Sequence, residues 1–146
     1  METQNIYQLP IELGDKIKIA NDSLAHVDDL INSIDFDAPE GTLILAAEDG
    51  VVIAVKDDSQ IGGLDQSFEN DGNYIEILHA NNEVSEYEHL RYNSSRLKIG
   101  ETVKAGQVIA EVGNTGWSAC PHLHFMVYQK NQEYKTLKIK FKSSLW

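Results

Sequence analysis

From residue 34 onward the chain alternates short apolar runs with turn signals. The runs at 34–36, 42–47, 51–55, 74–78, 84–90, 107–113, 121–128 and 134–141 are rich in Val, Ile, Tyr and Phe, and Gly, Asn, Asp and Pro punctuate the stretches between them. Such punctuation predicts an all-β fold, a mainly antiparallel sheet with barrel-sandwich-like hairpins and little helix. A parallel α/β fold is disfavoured, because no amphipathic helical stretch of about 10–15 residues separates the strands. Ahead of this region the pattern is weaker. Ile11, Leu13, Ile17 and Ile19 suggest short extended pieces around Gly14-Asp15, while residues 23–33 stay open between loop and helical turn, since Leu24, Val27, Leu30 and Ile31 have helical spacing.

Two segments echo each other. Residues 40–54 and 99–110 both read as turn glycine, strand, turn glycine, strand, and two similar hairpins are the plain reading, since tight turns come in few types. Residues 62–73, bounded by Gly62-Gly63 and Gly72-Asn73, read as a long exposed hairpin loop.

At 146 residues with 42% hydrophobic content, the chain suits one domain over 1–146 with enough core to fold without a cross-link. Twelve Lys and Arg against 23 Asp and Glu give a net charge of −11, which argues against a nucleic-acid partner or an anionic membrane held by charge. No apolar run approaches the ~20 residues of a membrane span, and the first residues lack a basic start and an apolar core, so neither membrane insertion nor a signal peptide is expected. The single cysteine, Cys120, cannot form an intrachain disulfide.

The chemistry is concentrated in the histidines. His122-Leu123-His124 lies in a predicted strand, where alternate side chains share a face, so both imidazoles project together about 6.6–6.8 Å apart while Leu123 and Phe125 turn to the core. Such a pair can serve one metal ion, or one ligand and one proton carrier, but by itself it more often marks a half-buried polar face. Asp35, between Ile34 and Phe36, is either paired or metal-bound when buried, or sits at an edge with its head in water. If residues 86–90 are extended, Tyr87 and His89 share one face, and Glu88 and Leu90 the other. His79, at a strand end beside Ala80-Asn81-Asn82, reads as a surface residue. Asn73 is a candidate groove residue, and Tyr87 reads chiefly as a buried tyrosine with a bonded hydroxyl. Trp117 suits either substrate stacking or local packing, and Cys120 reads as a small turn residue or as a thiol near the metal.

Several blocks together carry a resemblance. Asp35-Phe36, Pro39-x-Gly41-Thr42, Asp49-Gly50-Val51-Val52, Gly72-Asn73-Tyr74-Ile75, Tyr87-x-His89-Leu90, Gly113-x-Thr115-Gly116 and Pro121-His122-Leu123-His124-Phe125 occur in that order. In this arrangement the chain resembles the lysostaphin-type (LytM-like) zinc metallopeptidases, most strongly over residues 20–130, with 1–19 an N-terminal extension and 131–146 a C-terminal strand. The resemblance implies one Zn²⁺ per chain on His26, Asp35 and His124. It gives His122 and His89 to the water and the tetrahedral intermediate, and implies endopeptidase cleavage of peptidoglycan peptides in the cell envelope or outside the cell. The chain departs from the common pattern in setting His26 and Asp35 nine residues apart rather than four, and in placing Cys120 where a small residue precedes Pro-His.

Two other classes stay open. Some relatives have lost ligands and act as binding or activator modules for wall hydrolases. Separately, residues 100–110 resemble hairpins of biotinyl and lipoyl carriers, although Lys104 lacks their flanking residues and the histidines would go unexplained.

Overall fold

A computed structural model of the chain describes residues 1–20, 30–132 and 135–142. The described chain is built almost wholly of strands: β1 (Glu2–Tyr7), β2 (Lys18–Ala20), β3 (Ile34–Asp37), β4 (Leu43–Leu45), β5 (Gly50–Lys56), β6 (Gly62–Gly63), β7 (Tyr74–Leu78), β8 (Glu83–Glu88), β9 (Thr102–Val103), β10 (Val108–Glu111), β11 (Gly116–Trp117), β12 (His122–Gln129) and β13 (Lys138–Phe141). The predicted all-β class holds, and the strand predicted at 74–78 matches β7 at both ends. The open reading over 23–33 falls mostly on residues outside the described ones.

Seven strands form one sheet in the order β2-β3-β12-β8-β7-β5-β9, every neighbouring pair antiparallel. Alternation divides its side chains. One face of β3, β7, β8 and β12 sends Phe36, Ile75, Ile77, Tyr87, Leu123 and Phe125 into the core, all fully buried. Burying each such side chain contributes roughly 1.5–3 kcal/mol. The opposite face of β12 carries His122, His124, Met126 and Tyr128. Met126 and Tyr128 close a smaller cluster with Val84, so β12 is buried on both sides.

The echoing segments do not close on themselves. Strand β4 pairs with β10, and β5 pairs with β9, so each strand of one segment finds its partner in the other. This interlock lays the β4–β10 ribbon against the large sheet. The 57–73 connection is less free than the predicted loop. Its β6 runs parallel to β11, which ties the connection to the loop just ahead of β12.

Candidate metal centre and catalytic face

Register builds the site. Strand β12 runs between β3 and β8, placing His124 opposite Asp35 on one side and opposite Glu88 on the other, with His122 opposite Asp37. His124 Nδ1 stands 3.1 Å from Asp35 Oδ1, and His122 Nε2 stands 3.8 Å from the same oxygen. Asp35 does not lie at an edge: β3 is interior, and its carboxyl side chain is 15% exposed.

His89 reaches the site by a different route. Its φ of 69° is left-handed, which ends β8 at Glu88 and breaks the alternation there. The expectation that Tyr87 and His89 share a face is therefore overturned. Tyr87 and Leu90 enter the core, while the His89 ring meets His122 at 4.5 Å between centroids and His124 at 6.1 Å. Glu88, assigned from sequence to the face away from His89, joins the site instead. Only a backbone reversal hidden from residue pattern separates the two readings.

Two carbonyls orient the rings. A carbonyl oxygen only accepts, so each nitrogen facing one carries the proton. His89 Nδ1–H donates to Thr115 O at 2.6 Å, and His122 Nδ1–H donates to Cys120 O at 2.8 Å. In the neutral state Nε2 of both rings is then the lone-pair nitrogen. One loop, residues 113–120, supplies both carbonyls. Ser118 Oγ braces it, 2.7 Å from Asn114 Oδ1 and 2.9 Å from Cys120 O.

The charges follow from burial and neighbours. Burial pushes His89 down to about 3, helped by the imidazoles of His122 and His124 beside it, so its ring is neutral at physiological pH. Burial also opposes charge on His124, but the Asp35 hydrogen bond and the Glu88 charge outweigh it and raise this imidazole above its ordinary value. Glu88 is raised by burial, with His124 and His122 pulling the other way. The Cys120 thiol is exposed and is raised by desolvation and by the Asp37 and Asp35 charges. Its contribution to the site is its backbone carbonyl.

His26 lies outside the described residues, and among those residues no three His, Cys, Asp or Glu side chains form a complete ligand set. The donor pair present suits zinc in type and spacing. An imidazole nitrogen and a carboxylate oxygen bound at about 2.0–2.1 Å in a tetrahedron lie roughly 3.3 Å apart, close to the 3.1 Å between His124 and Asp35. The remaining candidates separate from the site or border it. His79 is not at the surface: it is 6% exposed and bonded to Asp49 O and Ser85 Oγ. Asn73 is fully buried rather than groove-lining. Tyr87 is buried, with its hydroxyl accepting from Ala47 N–H at 2.9 Å and pushed up to about 12 by desolvation. Trp117 stays 47% exposed, with its indole N–H on Leu64 O. Depressions of about 270 Å³ and 360 Å³ adjoin this region, one bordered by Glu88 and Tyr74, the other by Thr115 and Arg91.

The chain is 37% identical over 115 residues to the peptidoglycan DD-endopeptidase ShyC of Vibrio cholerae, covering 76% of this chain and 23% of that protein. A zinc-containing peptidase from Vibrio cholerae superposes with a TM-score of 0.64 at 26% identity, over 92% of this chain and 41% of the other. The catalytic domain of lysostaphin from Staphylococcus simulans superposes with a TM-score of 0.59 at 25% identity, over 90% of this chain and 84% of the other. The chain spans about a quarter of the length of the curated relatives it matches. The model for "Peptidase family M23" covers residues 30–136, more than half of the sequence, and since relatives bearing that chemistry match in both sequence and fold, the chain belongs to peptidase family M23.

Proposed function

We propose that residues 1–146 form one zinc-dependent endopeptidase domain that cuts peptide bonds in peptidoglycan stems or cross-bridges. The observation that carries this reading is the Asp35–His124 donor pair at 3.1 Å with two further imidazoles on the same face. Asp35 and His124 would hold the ion, with His26 as third donor, one ion per chain. Bound zinc supplies Lewis-acid polarisation of the scissile carbonyl and lowers the pKa of water toward ~7.

This chain's own residues supply the proton handling. His89 and His122 both have Nδ1–H committed to a carbonyl, so each offers Nε2 as an acceptor. A ring that accepts the proton of water at Nε2 then carries N–H at both nitrogens. It can donate to the developing oxyanion or return the proton to the leaving amine. The depressions bordered by Glu88 and by Thr115 give an extended peptide room beside these two residues.

The relatives support the substrate class, since ShyC is a peptidoglycan DD-endopeptidase. On this reading the working location is the cell envelope or the exterior. Among the described residues no helix is long and apolar enough to cross a membrane.

The test is digestion of isolated peptidoglycan and defined muropeptides, with products mapped by mass spectrometry. Cleavage at peptide cross-links, abolished by a chelator and restored by zinc, is expected. A zinc-loaded chain that binds peptidoglycan but releases no fragment would instead make it a binding or activator module.

A further inference from the structure

Asn73, fully buried at the threshold of β7, has every polar atom engaged. Its N–H donates to Thr115 Oγ1 at 3.1 Å, and its Nδ2 donates to Ser59 O at 2.9 Å and Leu90 O at 3.2 Å. Its Oδ1 accepts from Ser59 N–H at 3.0 Å, and its carbonyl from Leu90 N–H at 3.2 Å. Thr115 completes the knot: its hydroxyl donates to Leu90 O at 2.8 Å. Three loops that are far apart in sequence, at 59, 90 and 115, are thereby fastened to one residue, the first two by its side chain and the third by its backbone N–H.

The knot closes around His89. Leu90 follows it directly, and Thr115 holds its ring through the 2.6 Å bond from Nδ1–H. A non-glycine residue at φ 69° is disfavoured and persists where its surroundings over-determine it. Here Leu90 is gripped at both its N–H and its C=O, which fixes the chain just after the reversal. Gly116, packed on the Gly72 backbone, keeps the Thr115 peptide in place from the other side.

We propose that Thr115, seated on Asn73, is a positioning residue for His89: its hydroxyl locks the loop whose carbonyl holds the ring as the Nδ1–H tautomer against His122. The consequence for rate rests on the endopeptidase reading. The state of the ring does not, so the two fail separately.

The experiment compares the full chain with Thr115→Val, Thr115→Ala and Thr115→Ser. Long-range ¹H–¹⁵N imidazole spectra are recorded at about pH 8, above the ordinary imidazole range, alongside zinc content and muropeptide kinetics. The unsubstituted chain and Thr115→Ser should show one Nδ1–H tautomer at His89. Thr115→Val, or Thr115→Ala should valine fail to fold, should show a tautomer mixture. Its kcat should fall roughly 10- to 100-fold, with KM within about twofold and zinc content unchanged. Recovery by serine to within about threefold separates a lost hydroxyl from a general packing defect. The proposal is overturned if the folded valine or alanine variant keeps the single Nδ1–H tautomer, or if serine is as impaired as valine. If no variant or parent cleaves muropeptides, the imidazole spectra alone decide.

Discussion

His124 and Asp35 face each other directly across β12 and β3, with Nδ1 of one 3.1 Å from Oδ1 of the other. Both positions are interior to the sheet, so the backbone ladder fixes the pair before any ligand arrives. Loss of either donor should therefore remove metal binding without unmaking the strands. For Asp35→Asn and His124→Ala the expected result is a zinc affinity reduced by more than the roughly 10- to 100-fold that loss of an outer-sphere partner costs. Endopeptidase activity should disappear, while far-UV circular dichroism stays that of the parent. Competition titration with a chromophoric chelator measures the affinity. A His124→Ala chain that still holds one zinc per molecule at parental affinity would remove His124 from the ligand set.

His79 predicts a pH dependence of stability that is separate from the site. Its Nδ1 faces Asp49 O, so that nitrogen carries the proton, and Nε2 stands 2.7 Å from Ser85 Oγ. Ser85 Oγ lies 2.9 Å from the Tyr87 hydroxyl, which itself accepts from Ala47 N–H. The imidazole sits in a buried setting that disfavours its charged form. Burial lowers its pKa from 6.5, against the smaller upward pull of the Asp49 carbonyl. An unfolded chain thus takes up a proton at His79 before the folded one does. The stability it supplies is present above about pH 6.5 and is lost as pH falls through the lowered folded value. Urea unfolding between pH 8 and pH 5 should show a decline that His79→Asn removes in part. Parallel pH profiles for both chains would refute a buried neutral imidazole.

Glu83 fastens the N-terminal strand. Fully buried at the start of β8, it accepts from Gln4 N–H at 2.7 Å, Asn5 N–H at 3.3 Å and the Tyr7 hydroxyl at 3.0 Å. Glu83→Ala would strand three donors at once, and a hydrogen bond to a charged group contributes about 1.5–3 kcal/mol. A loss of about 3 kcal/mol is expected, with amide exchange in β1 accelerated before that in β12. Uniform exchange rates across the two strands in the variant would deny β1 this local anchor.

These cases also show what the amino-acid pattern reveals. Strands β7 and β12 are legible because both are short runs rich in Ile, Tyr, Val and Phe bounded by turn residues, with Ile75, Ile77, Leu123 and Phe125 at every second position buried. The shared face of His122 and His124 follows from the same period of two. Strand β1 is not legible: Glu2–Tyr7 is mostly polar, and the groups that hold it, Glu83 and β13, lie more than 70 residues away. The placement of His89 and Glu88 fails for a different reason. A single left-handed residue inverts the side-chain alternation, and histidine carries no pattern that announces it. His79 reads as a surface residue in sequence because its partners, Ser85 and the Asp49 carbonyl, lie on other elements, and a backbone carbonyl leaves no trace in residue identity. The pairing of 40–54 with 99–110 is likewise a matter of tertiary docking that two hairpin-like segments cannot declare separately.

Gly116 links the loop that carries Thr115 to the sheet, and its replacement tests how tightly that loop is set. Its φ is 83°, a region that L residues avoid, and a Cβ there would sit 2.6 Å from Gly72 Cα and 2.8 Å from Gly72 N. Both obstacles are backbone, so no side chain can swing aside to make room. Gly116→Ala must therefore push β11 away from Gly72 or distort the peptide that presents Thr115 O to His89. Strain at a left-handed non-glycine residue costs on the order of 1–3 kcal/mol, and the backbone overlap adds to it. Reduced stability in urea is expected, with kcat lowered more than KM is raised, since the displaced carbonyl leaves the His89 ring unanchored. Gly14 is the control: a Cβ there meets nothing within 4 Å, so Gly14→Ala should leave both quantities near the parental values. Equal behaviour of the two variants would mean that the Gly72–Gly116 contact does not hold the loop.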